Sequence, residues 1–397
     1  MKINKIKLLC LAFIILMVSS RLFLPEGPNY SGNKSTSFTY IGYMFENLAL
    51  LIAALVYFQG YSRSSHFKNA GVIVWILFYG YAFIVSIVGF DPVLGFHMAL
   101  RGVGYVFVGL LAGELISRSE DPEKAFMKYV GLCFLGMLFV SIAETITTIS
   151  LEYLIHFGLG GSYVAIFGLV YMYMLVKHNN HFFRMRSIGV FIVVPLILYI
   201  VIQLNSLASI LAFSSSLLLY SIFYNRILLL LLTVPILISV YIMIPQLVSG
   251  DLMIANKSFE TIVSGSGRFQ AWEVCWDKFS RLEVPFLGFG FLSDGVVLRG
   301  LEGTLSLVHS CHSSVLSNAV GLGYLGLIIY IIFVMVHLLR VFELKGSGRQ
   351  DAIILFVSFL IFGVGSNLYP GSPTLLISLS VAMFVYDFRN VGQLKQI

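Results

Sequence analysis

Two side chains in the most polar stretch of this chain, Arg268 and His312, are suited to chemistry at an anionic group. Arg268 opens a predicted helix, where backbone N–H groups favour anions, and its guanidinium is a fork of donors suited to phosphate. The alternative for Arg268 is a solvated side chain beside lipid headgroups. His312 follows His309 by one helical turn, and a neutral imidazole serves as a general base or a metal ligand. Because no other metal ligands cluster near in sequence, we predict no metal; a polar anchor is the alternative role.

The helix that Arg268 opens carries an aromatic stripe. Phe269, Trp272, Trp276 and Phe279 recur at intervals of three and four residues, which places them on one helical face. This pattern predicts an amphipathic helix on or near a membrane surface. The stripe has two alternative partners, lipid or sugar, and Trp272 is a candidate substrate-binding residue.

Arg101 is an ionisable residue inside an apolar segment, near the predicted outer end of that segment. Charges at membrane depth are costly and usually face a partner or a wet cavity. Arg101 therefore either points into an outward-facing cavity, where it would hold a diphosphate, or pairs with Glu46 or Glu144. The sequence favours neither alternative.

Composition defines the class of protein that must position these residues. Hydrophobic residues make up 58% of the 397 and charged residues 11%, against roughly 25% charged residues in a soluble domain. Most of the surface must therefore face hydrocarbon. The net charge of +6 is typical of loop ends that orient a membrane protein, so it does not predict nucleic-acid binding. Nothing resembles a nucleotide-binding loop, a zinc-protease motif or a Ser-His-Asp framework.

Apolar runs of about 20 residues predict membrane-spanning helices. The sequence predicts an all-α, polytopic membrane protein of about 12 transmembrane helices, with short amphipathic helices in one long loop. The predicted spans are 7–24, 38–58, 71–90, 97–116, 127–147, 159–176, 187–203, 206–223, 227–246, 316–339, 352–369 and 372–388.

Basic residues fix the predicted orientation. If the chain begins in the cytoplasm, 17 of the 25 Lys and Arg residues fall on the cytoplasmic side, as the positive-inside rule requires. This predicts both termini inside and one long outer loop. The chain is thus divided into helices 1–9 (1–246), the loop (247–315) and helices 10–12 (316–397). Cys275 and Cys311 share that loop and could pair, but we expect a free thiol at each because the spacing shows no bond.

Two segments at this loop resemble the O-antigen polymerase and O-antigen ligase superfamily. The first is Ser-Gly-Arg-x3-Trp at 266–272, followed by Pro-x2-Gly-x-Gly at 285–290. The second reads His-Ser-x-x-Leu at 312–316, where the family has His-Asn-x-x-Leu, followed by Gly-x-x-Gly at 323–326. The Ser-Arg that many members carry near an earlier span is replaced here by Asn-Ser-Leu-Ala-Ser at 205–209, without an arginine.

The resemblance implies an inverting, metal-independent glycosyltransferase without a cofactor. It would use undecaprenyl-diphosphate-linked sugars in a bacterial inner membrane, with a site that faces the periplasm. Arg268 would stabilise the diphosphate leaving group and His312 would act as the base. The remaining predicted substrate-binding residues are Arg101, His309, Trp272, Arg281 and Arg299.

Three functions stay open at this stage. A polymerase of O-antigen, capsule or exopolysaccharide is favoured because polymerases tolerate motif drift. An O-antigen ligase that transfers the glycan to the lipid A core is the alternative. The third is a flippase or transporter of lipid-linked sugar, but the paired broken helices typical of transporters are not recognisable. A chain-length regulator protein is an expected partner of the polymerase.

Overall fold

Every regular element in the described part of the chain is an α-helix. The computed structural model describes residues 14, 37–61, 70–148, 215, 218–219, 268–281, 283–295, 311, 313–343, 346–364, 377–383 and 385. The helices with defined bounds are α1 (Ser37–Tyr61), α2 (Ala70–Val88), α3 (Pro92–Ser117), α4 (Pro122–Thr148), α5 (Arg268–Ser280), α6 (Ser314–Glu343) and α7 (Gly346–Val364). Residues 377–383 are also helical. The prediction of an all-α protein is confirmed for these residues.

Three helices among the described residues are long and apolar enough to cross a membrane, namely Ala70–Val88, Gly95–Ser117 and Ser314–Arg340. These helices mark the chain as a membrane protein. Other predicted spans fall on helices that the structure describes in part: 38–58 on α1, 127–147 on α4, 352–369 on α7 and 372–388 on the helical residues 377–383. The rest lie outside the described residues, apart from isolated positions: 7–24, 159–176, 187–203, 206–223 and 227–246.

α1 and α3 lie side by side in the same direction. Glu46 early in α1 pairs with Arg101 of α3, and Tyr57 late in α1 packs on Phe107, further along α3, with 5.9 Å between ring centroids. α2 lies antiparallel to α3, because only a short turn joins the two helices. α3 is thus in contact with two neighbours in the described bundle.

α6 runs antiparallel to α2. Near the start of α2, Trp75 packs edge-on against Phe333 in the later part of α6, with 4.5 Å between ring centroids. Further along α2, the Tyr81 hydroxyl donates to the carbonyl of Leu322 in the earlier part of α6 at 3.0 Å. It follows that α6 has the same direction as α3.

Glycines along α3 allow close helix packing. A Cβ atom at Gly102 would collide with α2, and one at Gly104 would collide with α1. Further along, Gly109 and Gly113 lie directly against residues 378–385. Small residues at such positions let helix backbones approach closely, and this packing is the main source of helix association in a membrane.

A buried ion pair joins α1 to α3. Glu46 Oε1 accepts hydrogen bonds from Arg101 Nη2 and from the Tyr105 hydroxyl, each at 2.6 Å, and both charged side chains are fully buried. Arg101 Nη1 also lies 2.9 Å from the Met98 sulfur. α3 begins at Pro92, and its segment long enough to cross a membrane is Gly95–Ser117, so Arg101 lies within the first two turns of that segment.

α6 is interrupted at Gly323. This residue has φ 69° and ψ −165°, a conformation outside the helical region that glycine adopts without steric cost. The break separates a first half of α6 (Ser314–Leu322) from a second half (Tyr324–Glu343). Helical i→i+4 hydrogen bonding depends on regular backbone angles, so Gly323 marks a kink between the two halves.

The three carbonyls next to the break accept hydrogen bonds from other elements. The segment that follows α5 supplies two backbone donors, and α2 supplies a side-chain hydroxyl. The bonds are Phe289 N to Val320 O at 3.1 Å, Gly290 N to Gly321 O at 2.8 Å and Tyr81 Oη to Leu322 O at 3.0 Å. The break therefore leaves these backbone acceptors satisfied, which buried peptide groups require.

Five glycines meet at this point, and we call them the glycine junction: Gly89, Gly288, Gly290, Gly321 and Gly323. Gly288 and Gly290 also have positive φ, at 80° and 113°. A Cβ at Gly288 would lie 2.3 Å from the Gly321 carbonyl oxygen, and one at Gly89 would lie 2.5 Å from the Gly290 Cα. Three backbone segments are thus closer together than any side chain would allow.

Phe291 anchors the junction in the bundle. Its buried ring packs against the rings of Phe78 and Tyr79 in α2, with centroid separations of 6.3 and 6.0 Å. Beside it, Phe90 N donates to Phe289 O at 2.6 Å. The segment after α5 therefore packs between α2, α3 and α6.

Gly323→Ala tests the junction. The new Cβ would lie 2.2 Å from the Phe286 carbonyl oxygen, at a positive φ, so we expect a loss of roughly 2 kcal/mol or more of stability. Gly80→Ala is the matched control, because nothing lies within 4 Å of its Cβ position in helix α2 and alanine favours a helix by up to about 1 kcal/mol. Thermal unfolding in detergent measures both; equal midpoints would contradict the junction.

Candidate functional site

α5 begins at Arg268, where the sequence predicts a helix start. Its packed face consists of Ala271, Cys275 and Phe279, which recur every four residues and are all buried. These residues form a cluster with Val284, Cys311, Ala319 and Val320. The helix is therefore packed on α6 through these three residues.

The predicted aromatic stripe is only partly the packed face. Phe279 is buried, but Trp272 is half-buried and Trp276 is exposed. The stripe follows from hydrophobicity alone, whereas packing against α6 selects Ala271 and Cys275 because their small side chains allow a close approach. Trp276 is left to face the surroundings of the protein.

A disulfide bond links α5 to the residue before His312. Cys275 and Cys311 are bonded, with 6.6 Å between their Cα atoms, and both are fully buried. The expectation of free thiols at these positions is therefore wrong. Spacing in sequence could not show the bond, because the two residues meet only when α5 packs on α6.

The end of α5 is attached to the second half of α6. The Tyr324 hydroxyl donates to the carbonyl of Phe279 at 2.5 Å, and the two rings pack with 4.3 Å between centroids. Around this end, Lys278 forms an ion pair with Glu283. α5 thus bridges both halves of the interrupted helix.

Asp294 is a residue that no sequence pattern singles out. Its buried Oδ2 accepts from Cys311 N and from the Ser317 hydroxyl, each at 2.7 Å. Its own amide and that of Gly295 also donate to it. Burial raises the pKa of this carboxyl group, while the four donors act to lower it. The carboxylate thereby holds the disulfide-bonded residue against the start of α6, where a negative charge is favoured.

Other polar side chains are buried around Asp294. Ser313, Ser314, Ser317 and Asn318 of the α6 start are buried, as is Ser293 beside Asp294. Asn318 Nδ2 has no hydrogen-bond partner within the described part of the protein. Buried polar groups normally have partners, so an unpaired donor calls for a functional explanation. Carboxylate, hydroxyl and amide groups together can bind the hydroxyl groups of a sugar.

The structure places the predicted site residues in two regions. Arg268 and Trp272 belong to α5, and Arg281 follows it, exposed, with its Nε donating to Asp277 Oδ1 at 2.8 Å. Arg101 is instead paired with Glu46 inside the bundle. This pairing is one of the two alternatives that the sequence left open for Arg101. His309, His312 and Arg299 lie outside the described residues.

Among the residues that the structure describes, no group of three or more His, Cys, Asp or Glu side chains could hold a metal ion. Comparison with models of known protein families and with curated proteins finds no match for this chain. Its function must therefore be argued from its own residues.

Removing the disulfide should loosen α5. Closing a loop over a sequence separation of 36 stabilises the folded state by roughly 3–4 kcal/mol in the chain-entropy model. We expect Cys275→Ala with Cys311→Ala to lower the unfolding midpoint and to speed proteolysis between α5 and α6. Cys133→Ala is the control, since this buried cysteine is free. An unchanged midpoint in the double variant would count against the bond.

Asp294→Ala should destabilise the start of α6. It leaves Cys311 N and the Ser317 hydroxyl without their acceptor, at a cost of roughly 1–3 kcal/mol. Ser317→Ala removes a single bond and should cost about 1 kcal/mol. Thermal unfolding of the purified variants would show this order; a larger loss for Ser317→Ala would contradict the central position of Asp294.

Proposed function

We propose that this chain is an inner-membrane polysaccharide polymerase of the O-antigen polymerase and ligase superfamily. It would transfer an undecaprenyl-diphosphate-linked glycan onto a lipid-linked repeat unit of O-antigen, capsule or exopolysaccharide. One observation carries the proposal: the two segments of the family resemblance form a single unit. Residues 285–290 pack on residues 320–323 through the glycine junction, and α5 is disulfide-bonded to Cys311.

Chain connectivity within this unit limits the distance between the two proposed catalytic residues. Arg268 precedes Cys275 by seven residues of helix, or roughly 10 Å along the axis. Cys275 and Cys311 have Cα atoms 6.6 Å apart, and His312 is the next residue in sequence, one Cα step of about 3.8 Å away. The Cα atoms of Arg268 and His312 are therefore at most roughly 21 Å apart, a limit that is compatible with one shared site.

The proposed reaction needs a proton acceptor at the attacking hydroxyl and a positive charge at the leaving diphosphate. A hydroxyl oxygen of the acceptor sugar attacks the anomeric carbon of the donor as the bond from that carbon to the phosphate oxygen breaks. His312 takes the hydroxyl proton, and undecaprenyl diphosphate leaves with the bonding electrons. Arg268 faces the charge that develops on the leaving diphosphate, where electrostatic stabilisation is most effective. The lipid diphosphate itself supplies the driving force.

Helix direction supports the proposed twelve spans. α6 runs in the same direction as α3, and α4 follows α3 by a short turn. An even number of crossings must therefore separate α4 from α6. The four spans proposed in residues 159–246 meet this requirement. Two spans in this region would also meet it.

The disulfide supports the proposed side of the membrane. Disulfide bonds persist in oxidising compartments such as the bacterial periplasm and are rare in the cytoplasm. A bond between Cys275 and Cys311 therefore fits a long loop, 247–315, on the periplasmic side. The excess of Lys and Arg in the other loops fits the same orientation, with both termini in the cytoplasm.

Substitutions of Arg268 and His312 test the enzyme directly. In a host that lacks the native gene, we expect Arg268→Ala and His312→Ala each to abolish polysaccharide assembly at normal protein levels. Arg268→Lys should also be severely impaired, because the bidentate fork is lost. Lys278→Ala is the matched control, since this basic residue of the same helix is part of an exposed ion pair. Normal polysaccharide assembly by both alanine variants would contradict the proposed enzyme.

Deletion of the gene distinguishes polymerase from ligase. The readouts are lipopolysaccharide on a gel and lipid-linked glycans extracted in parallel. A core with a single repeat unit and no ladder is the expected result for an O-antigen polymerase. Bare core with long polymer retained on undecaprenyl diphosphate would instead assign the ligase. If the ladder is unchanged but capsule or exopolysaccharide is lost, the chain is the polymerase of that polymer. If the ladder is unchanged and the lipid-linked precursor stays on the cytoplasmic leaflet, the result would support a transporter.

A further inference from the structure

Large apolar side chains are exposed near the glycine junction, in the loops, in the first turn of α3 and in the later part of α5. Trp276 is 58% exposed, Phe286 64%, Phe90 57% and Val93 81%. Leu287, next to Phe286, is exposed as well. We call these five residues the apolar rim. Exposed apolar groups that adjoin one another usually mark a binding surface for protein or lipid.

The exposed face of α6 shows where a bilayer would end. In its second half, exposed apolar side chains recur at Ile328, Ile331, Ile332, Met335 and Leu339, whereas no large apolar side chain of the first half is exposed. The second half, Tyr324–Glu343, has 20 residues and is about 30 Å long, the thickness of the hydrocarbon core. The exposed apolar side chains begin at Ile328, five residues beyond the break at Gly323.

The exposed face of α2 ends at the same level. Ile84, Ile87 and Val88 are exposed up to the last residue of the helix. Gly89 then lies against Gly290, which in turn donates its N–H to Gly321 of α6. The glycine junction thus coincides with the end of the apolar surface on both helices.

We infer that the apolar rim is a lipid-binding surface, seated in one leaflet of the bilayer at the boundary between acyl chains and headgroups. The ligand is phospholipid, because the rim adjoins the ends of the exposed apolar faces of α2 and α6. The rim side chains are aromatic or aliphatic, as is typical of the interfacial zone. Backbone bonds at Phe90 and Phe289 hold the loop rigidly at this depth.

The rim would set the height of α5 above the membrane. Phe279 lies at the level of Tyr324, the first residue after the break. Arg268 precedes Phe279 by eleven residues, so it lies no more than roughly 16 Å from that level. Headgroups occupy this layer. The inference does not depend on the proposed enzyme, but it places α5 where a lipid-linked substrate would present its diphosphate.

Tryptophan fluorescence tests the inference in the full chain, reconstituted in phosphatidylcholine vesicles. The protein has three tryptophans. Trp75→Phe with Trp272→Phe leaves Trp276 as the single probe. A second probe is Phe286→Trp with all three native tryptophans replaced by phenylalanine. The control is Gln270→Trp in that same background, since residue 270 is exposed on the far part of α5.

We expect lipids brominated near the top of the acyl chain to remove most of the emission of both rim probes, and iodide in the water to remove little. The control should respond in the opposite way. Iodide quenching of the rim probes would place them in water and overturn the inference. Quenching by neither agent would mean that protein, such as a second copy of the chain, covers the rim, and would overturn it too. If the substituted background does not fold, the native chain and its Trp276→Phe variant give the same comparison by difference.

Discussion

A helix that breaks near a membrane must find new partners for its peptide groups, because each unsatisfied group costs several kcal/mol in hydrocarbon. In this protein the break is at Gly323, and the carbonyls of residues 320–322 accept from Phe289, Gly290 and Tyr81. The loop after α5 therefore contributes to the backbone hydrogen bonding of α6 at the break. The approach is possible only because glycines occupy both sides of the contact. Once the loop is docked, α5 has a single place to pack, and the Cys275–Cys311 bond joins it to the start of α6.

Buried charge serves two different purposes in this molecule. Glu46 and Arg101 neutralise each other between α1 and α3, with Tyr105 as a third partner. Removing one member of such a pair leaves an uncompensated charge, so the pair is expected to be essential to the bundle whatever the function. Asp294 has no basic partner among the described contacts; hydrogen bonds hold it instead, among them those from Cys311 N and from the Ser317 hydroxyl. The carboxylate thereby fixes Cys311 against the start of α6.

Much of the helical framework could be predicted from sequence, because a run of about 20 apolar residues has few alternatives. The start of α5 at Arg268 could be predicted as well, since Gly265 and Gly267 precede an amphipathic pattern. The disulfide and the role of Asp294 could not. Cys275 and Cys311 meet only through the docking of α5 on α6, and two of the donors to Asp294, Cys311 N and the Ser317 hydroxyl, come from residues at least 17 positions away.

The loop after α5 donates backbone hydrogen bonds to the carbonyls of α6 beside its break. Amide hydrogen exchange, followed by mass spectrometry on the protein in a lipid nanodisc, measures those bonds directly. The account predicts that the amides of Phe289 and Gly290 exchange orders of magnitude more slowly than in an unfolded peptide of the same sequence, because both donate to carbonyls of α6. Exchange of these two amides at the rate of the unfolded peptide would contradict it.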